Sequence, residues 1–243
     1  MRSTLAVAAA TAGLMISTAA HADSKTYELT GFDKIDISTG LDAVVKQGDS
    51  FSVTATSGSA QALDNLQLDV KDGVLVARFD QSFLDFIISG GLVGMLLSSG
   101  NALTIEVTMP AIAAIDASSG ADIRAQGLTS DHLSLNASSG ADIEIGDAKL
   151  GAVAINASSG ADIDIAGIAE SVAAEASSGA GIDAESLVAA SATAGASSGA
   201  SISVHATASL RAEASSGGDV DVSGNPPTRD VDASSGGDVN FDD

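Results

Sequence analysis

The chain has 243 residues, no cysteine, only ten Lys and Arg, and a formal charge of −22. That balance argues against nucleic acid or anionic lipid as partners, since phosphate binding needs clustered basic residues, and it leaves no disulfide to stabilise a fold. Hydrophobic residues make up 45% and recur at regular spacing, which argues against a disordered chain.

Residues 1–22 read as a signal peptide. Arg2 gives a short basic start, residues 5–16 are apolar and Ala-rich, and Ala20-His21-Ala22 supplies a small-x-small cleavage pattern. A membrane anchor would need about 20 apolar residues. The mature protein is therefore expected to start at Asp23 and to be exported, to the periplasm or the cell surface.

Residues 23–110 form an N-terminal portion rich in strands. Phe32, Ile35 and Ile37 lead into Ser38-Thr39-Gly40, and residues 41–46 form a second strand. Residues 51–55 alternate apolar and polar side chains, the pattern of a half-buried strand. A short helical turn is predicted over residues 60–65. Residues 66–70 and 74–79 flank Lys71-Asp72-Gly73, where Asp-Gly signals a hairpin.

Residues 83–97 depart from this pattern, with a single charge at Asp85 and a Ser89-Gly90-Gly91 break. One reading is a loop that folds over the open end of the core. The other is a contact surface for a partner, a membrane or a second copy of the chain, through Phe83, Phe86, Ile87, Ile88, Leu92, Val93, Met95 and Leu96. Residues 103–109 then form another alternating strand before Pro110.

Residues 111–243 are organised by one tripeptide, Ser-Ser-Gly, continuing the preceding part as one domain. It ends at Gly120, Gly140, Gly160, Gly179, Gly199, Gly217 and Gly236, at intervals of 18 to 20 residues. Leu133, Leu135 and Ala137 alternate with Ser134 and Asn136 before one corner. Ile143 and Ile145 alternate with Asp142 and Glu144 after it. Period two on both sides of a fixed corner predicts two strands per unit.

A unit this small buries its apolar face only by stacking on its neighbours. The predicted fold class is all-β, a parallel β-helix or solenoid of about 18–20 residues per rung. A β-propeller needs about 40 residues per blade. Ala137, Ala157, Ala176, Ala196 and Ala214 hold one repeated position, as a narrow core requires. Glycine at the corner supplies conformations closed to other residues. The serines satisfy turn amides or bond to serines of adjacent rungs. A catalytic serine is needed once, with a base beside it, and seven copies with only His132 and His205 after the leader do not provide that.

These features together resemble the bacterial head GIN domain family of putative auto-transporter adhesins. The resemblance rests on Phe32-Asp33-Lys34-Ile35-Asp36-Ile37, the strands around Gln47-Gly48 and residues 66–79, the strand 103–109, and the Ser-Ser-Gly rungs. It covers roughly residues 27–222. It implies a secreted or envelope-associated β-helix, with adhesion attached to the family by name, and it brings no catalytic residue. Residues 83–97 and the rung around Asn225-Pro226-Pro227 depart from the pattern, and the tail beyond Gly224 reads as a degenerate cap.

Asp122, Asp142, Asp162, Asp219 and Asp238 follow their glycines by two residues, and Glu144, Asp164 and Asp221 by four. In register, neighbouring carboxylates stand about 5 Å apart, close enough to raise their pKa values or recruit cations. Asp122, Asp142, Glu144, Asp162, Asp164, Asp219 and Asp221 are the candidate ligands for calcium, which takes six to eight oxygens. The alternative is a solvated acidic face that keeps a rod soluble. The resulting expectation is an exported, non-enzymatic binding or structural module of the cell envelope with an envelope, glycan or protein partner. A calcium-stabilised structural protein and a polysaccharide-active enzyme are the rivals.

Overall fold

The computed structural model describes residues 22–79 and 103–242. The apolar contact residues expected between Phe83 and Leu96 lie outside the described residues. Within them the strands belong to one 17-stranded sheet that winds as a solenoid, so the all-β stacked architecture is as expected.

The winding is clearest in the middle. After two shorter strands, Ala114–Ser118 and Asp122–Gln126, each rung is almost one continuous strand: Thr129–Ser138, Asp142–Ser158, Asp162–Ser177, Gly181–Ser197 and Ser201–Ser215. These pair in parallel and in register, so Ala137 lies against Ala157, Ala157 against Ala176, and Ser158 against Ser177. Within Asp142–Ser158 the buried residues are Ile143, Ile145, Ala148, Leu150, Val153, Ile155 and Ala157. Their alternation changes phase at Gly146-Asp147 and again at Gly151-Ala152. Each rung therefore has three short sides, where the sequence pattern predicted two strands. The third side, residues 148–150, carries too few residues to show a period of its own.

The Ser-Ser-Gly corners are tighter than a lone glycine requires. The second serine also adopts a left-handed backbone, with φ of 57° at Ser139 followed by 69° at Gly140, and this repeats at every copy. Such a conformation costs a non-glycine residue about 1–2 kcal/mol. Main-chain bonds offset it: the Ala161 amide donates to the Ser158 carbonyl at 3.3 Å and the Gly160 amide to the Ser178 carbonyl of the next rung at 3.2 Å. Of the two roles expected for the serines, neither a bond to a turn amide nor a serine-to-serine bond between rungs is found at these corners among the described residues; backbone carbonyls accept the turn amides.

The solenoid begins earlier than the repeat. Lys34–Ser38 and Asp42–Gln47 stack on Ala114–Ser118 and Asp122–Gln126, with Ser38 aligned on Ser118. Ser38-Thr39-Gly40 is thus an eighth corner, with Thr39 at φ 67°. Its hydroxyl accepts from the Phe79 amide at 3.0 Å.

The N-terminal end is closed by strands running against the stack. Ser52–Ser57 pairs antiparallel with Thr104–Met109, and Asp23–Tyr27 pairs antiparallel with Ser52–Ser57. Leu66–Lys71 pairs antiparallel with Val74–Phe79 across Asp72-Gly73, both residues at positive φ, as the hairpin signal predicted. The helix Ala60–Asn65 leads into this hairpin, its first turn capped by Ser59, with Ala62 and Leu63 buried. At the other end, Thr228–Ala233 and Asp238–Phe241 complete a last rung. There Arg229 takes the register position of the buried Leu210, and its guanidinium lies 4.1 Å from the centre of the Phe241 ring. A cation in an inward position makes this rung a polar end to the core.

Candidate functional site

Two columns of polar side chains run along the stack, and they differ in what neighbours do to one another. The first is the acidic ladder expected from sequence. Asp42, Asp122, Asp142 and Asp162 occupy successive rungs. The next two rungs place Gly181 and Ser201 there before Asp219 and Asp238 resume. Asp219 and Asp221 are thus cut off from the earlier carboxylates. A second file two residues on holds Arg124, Glu144, Asp164 and Asp183 in order, then Ser203 and Asp221.

The ladder behaves as stacked like charges should. Partial desolvation, then Asp122, Asp162 and Asp164, hold the Asp142 carboxyl above the usual carboxylate range. Desolvation, then Asp183, Asp162 and Glu144, raise Asp164. Desolvation and Asp122 raise Asp42, with Arg124 opposing. Glu144 has a protein partner, the Arg124 Nε at 3.3 Å. A shallow hollow of 180 Å³ opens beside Glu144, Asp164 and Asp183. Among the described residues no three acidic or histidine side chains converge as a metal site.

The second column lies on another side of the rungs, four residues before each corner glycine. Asp36, Asp116, Asn136 and Asn156 are aligned, followed by Glu175, Gly195 and Glu213. Here neighbours are cross-linked. The Asn156 Nδ2 donates to Asn136 Oδ1 at 3.0 Å, and the Asn136 Nδ2 donates to Asp116 Oδ1 at 2.6 Å. Asp36, at the start of the column, is raised by burial and then by Asp116, against the pull of Arg78. Glu213 is bound by Arg211, whose Nη1 also reaches Asp230 at 2.6 Å.

Beside this column runs a groove of 590 Å³. Its floor is the file of alanines that ends each rung, such as Ala157 and Ala176, and its far wall is the first serine of each corner, such as Ser158 and Ser177. Small residues at two adjacent positions leave the surface concave, and the longer Asp, Asn and Glu side chains form the near rim. At Gly195 that rim is interrupted, because a Cβ there would meet nothing within 4 Å. Sequence reasoning placed Asn136 on the outer face but did not assemble this column. A polar residue at a fixed offset before each corner was the available signal. His132 and His205 lie on other positions of the rungs, aligned with Ala152 and with Val188 and Ser223, and neither is in register with a corner serine.

The profile of the family described as putative auto-transporter adhesin, head GIN domain, matches residues 31–226. A search of curated protein sequences gives no match. Three solved structures share the fold, each covering 91% of this chain. A putative adhesin from Bacteroides fragilis NCTC 9343 superposes with a TM-score of 0.80 at 20% identity, over 97% of its own length. A putative lipid binding protein from Parabacteroides distasonis ATCC 8503 gives 0.68 at 16% identity, over 97%. A putative adhesin from Parabacteroides merdae ATCC 43184 gives 0.63 at 17%, over 96%. At these identities the likeness shows the fold alone.

Proposed function

From the premise that this chain belongs to the head GIN domain family, we propose that it is an exported, non-enzymatic binding module of the cell envelope whose ligand lies in the groove. The observation that carries this reading is the polar rim from Asp36 to Glu213, hydrogen-bonded from Asp116 to Asn156 and open at Gly195, beside a floor of alanines. A concave strip with convergent polar groups is what a binding surface requires. The adhesin names of the relatives favour attachment, and the name of the lipid binding relative raises a lipid ligand. The acidic rim opposes an anionic headgroup.

The non-enzymatic reading is supported by repetition. A catalytic acid or nucleophile needs one distinguished setting, and the groove offers similar settings on every rung. Release of new reducing ends from envelope polysaccharides by the purified protein would contradict it. The groove itself is tested by binding of the labelled chain to whole cells and isolated envelopes. Asn156→Ala combined with Glu175→Ala is expected to weaken retention about tenfold, while Asp162→Asn leaves it unchanged. Equal retention by all three proteins would remove the groove from the account.

A further inference from the structure

We propose that the groove takes an extended polysaccharide free of acidic groups, lying along the solenoid axis with one donor-bearing substituent seated at Gly195. This rests on reading the groove as the binding site, and it specifies the ligand class. Three features of the groove argue for it.

Spacing comes first. Except at Gly195, the rim offers one polar group per rung, about every 4.8 Å, which is close to the length of one sugar ring in an extended chain. A peptide strand advances about 3.3 Å per residue with alternate side chains on opposite faces. Its same-face groups recur about every 6.6 Å, so they fall out of step with the rim after a single rung. The groove crosses the strands at right angles, and in an extended β-1,4-linked chain alternate rings are flipped, so equivalent substituents return every second ring and fall close to every second rung, about 9.6 Å apart.

Chemistry comes second. The rim is rich in acceptors, and the Asn136 amide is already committed to Asp116 and Asn156 to Asn136. A ligand dense in hydroxyl donors satisfies such a rim, whereas a uronic or sialic acid would place carboxylates against carboxylates. Among the described residues no aromatic ring lines the groove. Affinity must then accumulate from hydrogen bonds repeated over several rungs, and it should grow steeply with chain length.

The notch at Gly195 is the third feature. Glu175 and Glu213 stand one rung to either side of it, so their backbones are about 9.6 Å apart. Glu213 is neutralised by Arg211. Glu175 makes no ion pair or side-chain hydrogen bond among the described residues. A substituent dropping into the gap, a hydroxymethyl or an amine, finds Glu175 as a free acceptor above the Ser197 hydroxyl.

The test is calorimetric titration of the full chain with defined hexamers: β-1,4-glucosamine, β-1,4-glucose, galacturonate, and hexalysine as a polycation without sugar. The glucosamine and glucose hexamers are expected to bind, at least about tenfold tighter than their trimers, and the galacturonate hexamer is not. Gly195→Leu fills the notch at a position where a Cβ meets nothing, so it should melt with the wild type yet lose about tenfold in hexamer affinity. Glu175→Gln should weaken the glucosamine hexamer more than the glucose hexamer. Hexalysine binding as tightly as the sugars, no sugar binding at all, or unchanged affinity in a folded Gly195→Leu would overturn the proposal. If the groove variants still abolish retention on cells while every sugar hexamer fails, the ligand class falls and the groove remains.

Discussion

The acidic ladder and the groove rim are built on the same rungs at the same spacing, yet one is a file of repelling carboxylates and the other is hydrogen-bonded from Asp116 to Asn156. Asp42, Asp122, Asp142 and Asp162 follow one another in register. Asp116 has Asn136, and Asn136 has Asn156. An amide carries both a donor and an acceptor, so a stack of amides closes on itself, whereas a stack of carboxylates has acceptors only. In a solenoid every side chain is copied beside itself, so the choice of Asn or Asp at one position is multiplied along the rod. The ladder therefore carries mutual repulsion, and the rim holds Asn136 and Asn156 in place through their own bonds.

The largest effect should come from turning the rim into a ladder. Asn136→Asp with Asn156→Asp removes both amide bonds and aligns four carboxylates from Asp116 to Glu175. Each bond to a charged partner is worth about 1.5–3 kcal/mol and each neutral one about 1. A loss of about 2–4 kcal/mol is expected by denaturant unfolding at neutral pH, partly recovered in acid. Retention of full stability would show that the rim is no better connected than the ladder.

The pH dependence follows from the raised carboxyls. Asp42, Asp142 and Asp164 hold protons more tightly in the folded chain than in the unfolded one. Their contribution is fully present below the ordinary carboxylate range and is lost as pH rises through their raised values. Melting temperature should therefore climb as pH falls from neutral towards the ordinary carboxylate range. Asp142→Asn with Asp164→Asn should flatten that slope, and a slope of opposite sign would contradict the repelling ladder.

Smaller again is the reverse conversion. Asp142→Asn alone breaks the file between Asp122 and Asp162 and should stabilise by about 0.2–1 kcal/mol, the usual size of a cross-strand charge effect. Added NaCl should shrink this gain by screening. Calcium should do least. With no converging ligand set among the described residues, millimolar calcium should move the melting temperature no further than an ionic-strength match with NaCl. A larger calcium shift, lost in Asp142→Asn, would restore the ladder as a cation site.

Much of this architecture could be read from the sequence, because a period near 20 survives in the corners. Ser138-Ser139-Gly140 and its copies mark every turn, and Ile143, Val153 and Ile155 announce which side is buried. What escaped was geometry that depends on stacking. The bend at Gly146-Asp147 and Gly151-Ala152 is a local phase change two residues long, too short to register as a period. The rung between Gly160 and Gly179 is a residue shorter than the one before it, and the register shift between Ile145 and Ala148 brings Gly167, at φ 141°, against Ala148. That leaves Ile168 in the outward position of Lys149, 56% exposed. The acids drew notice because charge is conspicuous in a sequence. The groove did not, since concavity comes from Ala157 and Ser158 being small beside Asn156 being long, a relation visible only once the rungs are in register.

The most direct test of the central claim uses the side-chain amides of Asn136 and Asn156 as reporters. Their NH₂ resonances can be followed by NMR, with assignments from Asn→Asp variants, while isolated envelope polysaccharide is titrated in. The account predicts that both amide pairs and the Gly195 backbone amide shift together and saturably, while the Asp142 and Asp162 backbone amides stay in place. Saturable shifts confined to the acidic ladder, with the two asparagines unmoved, would contradict it.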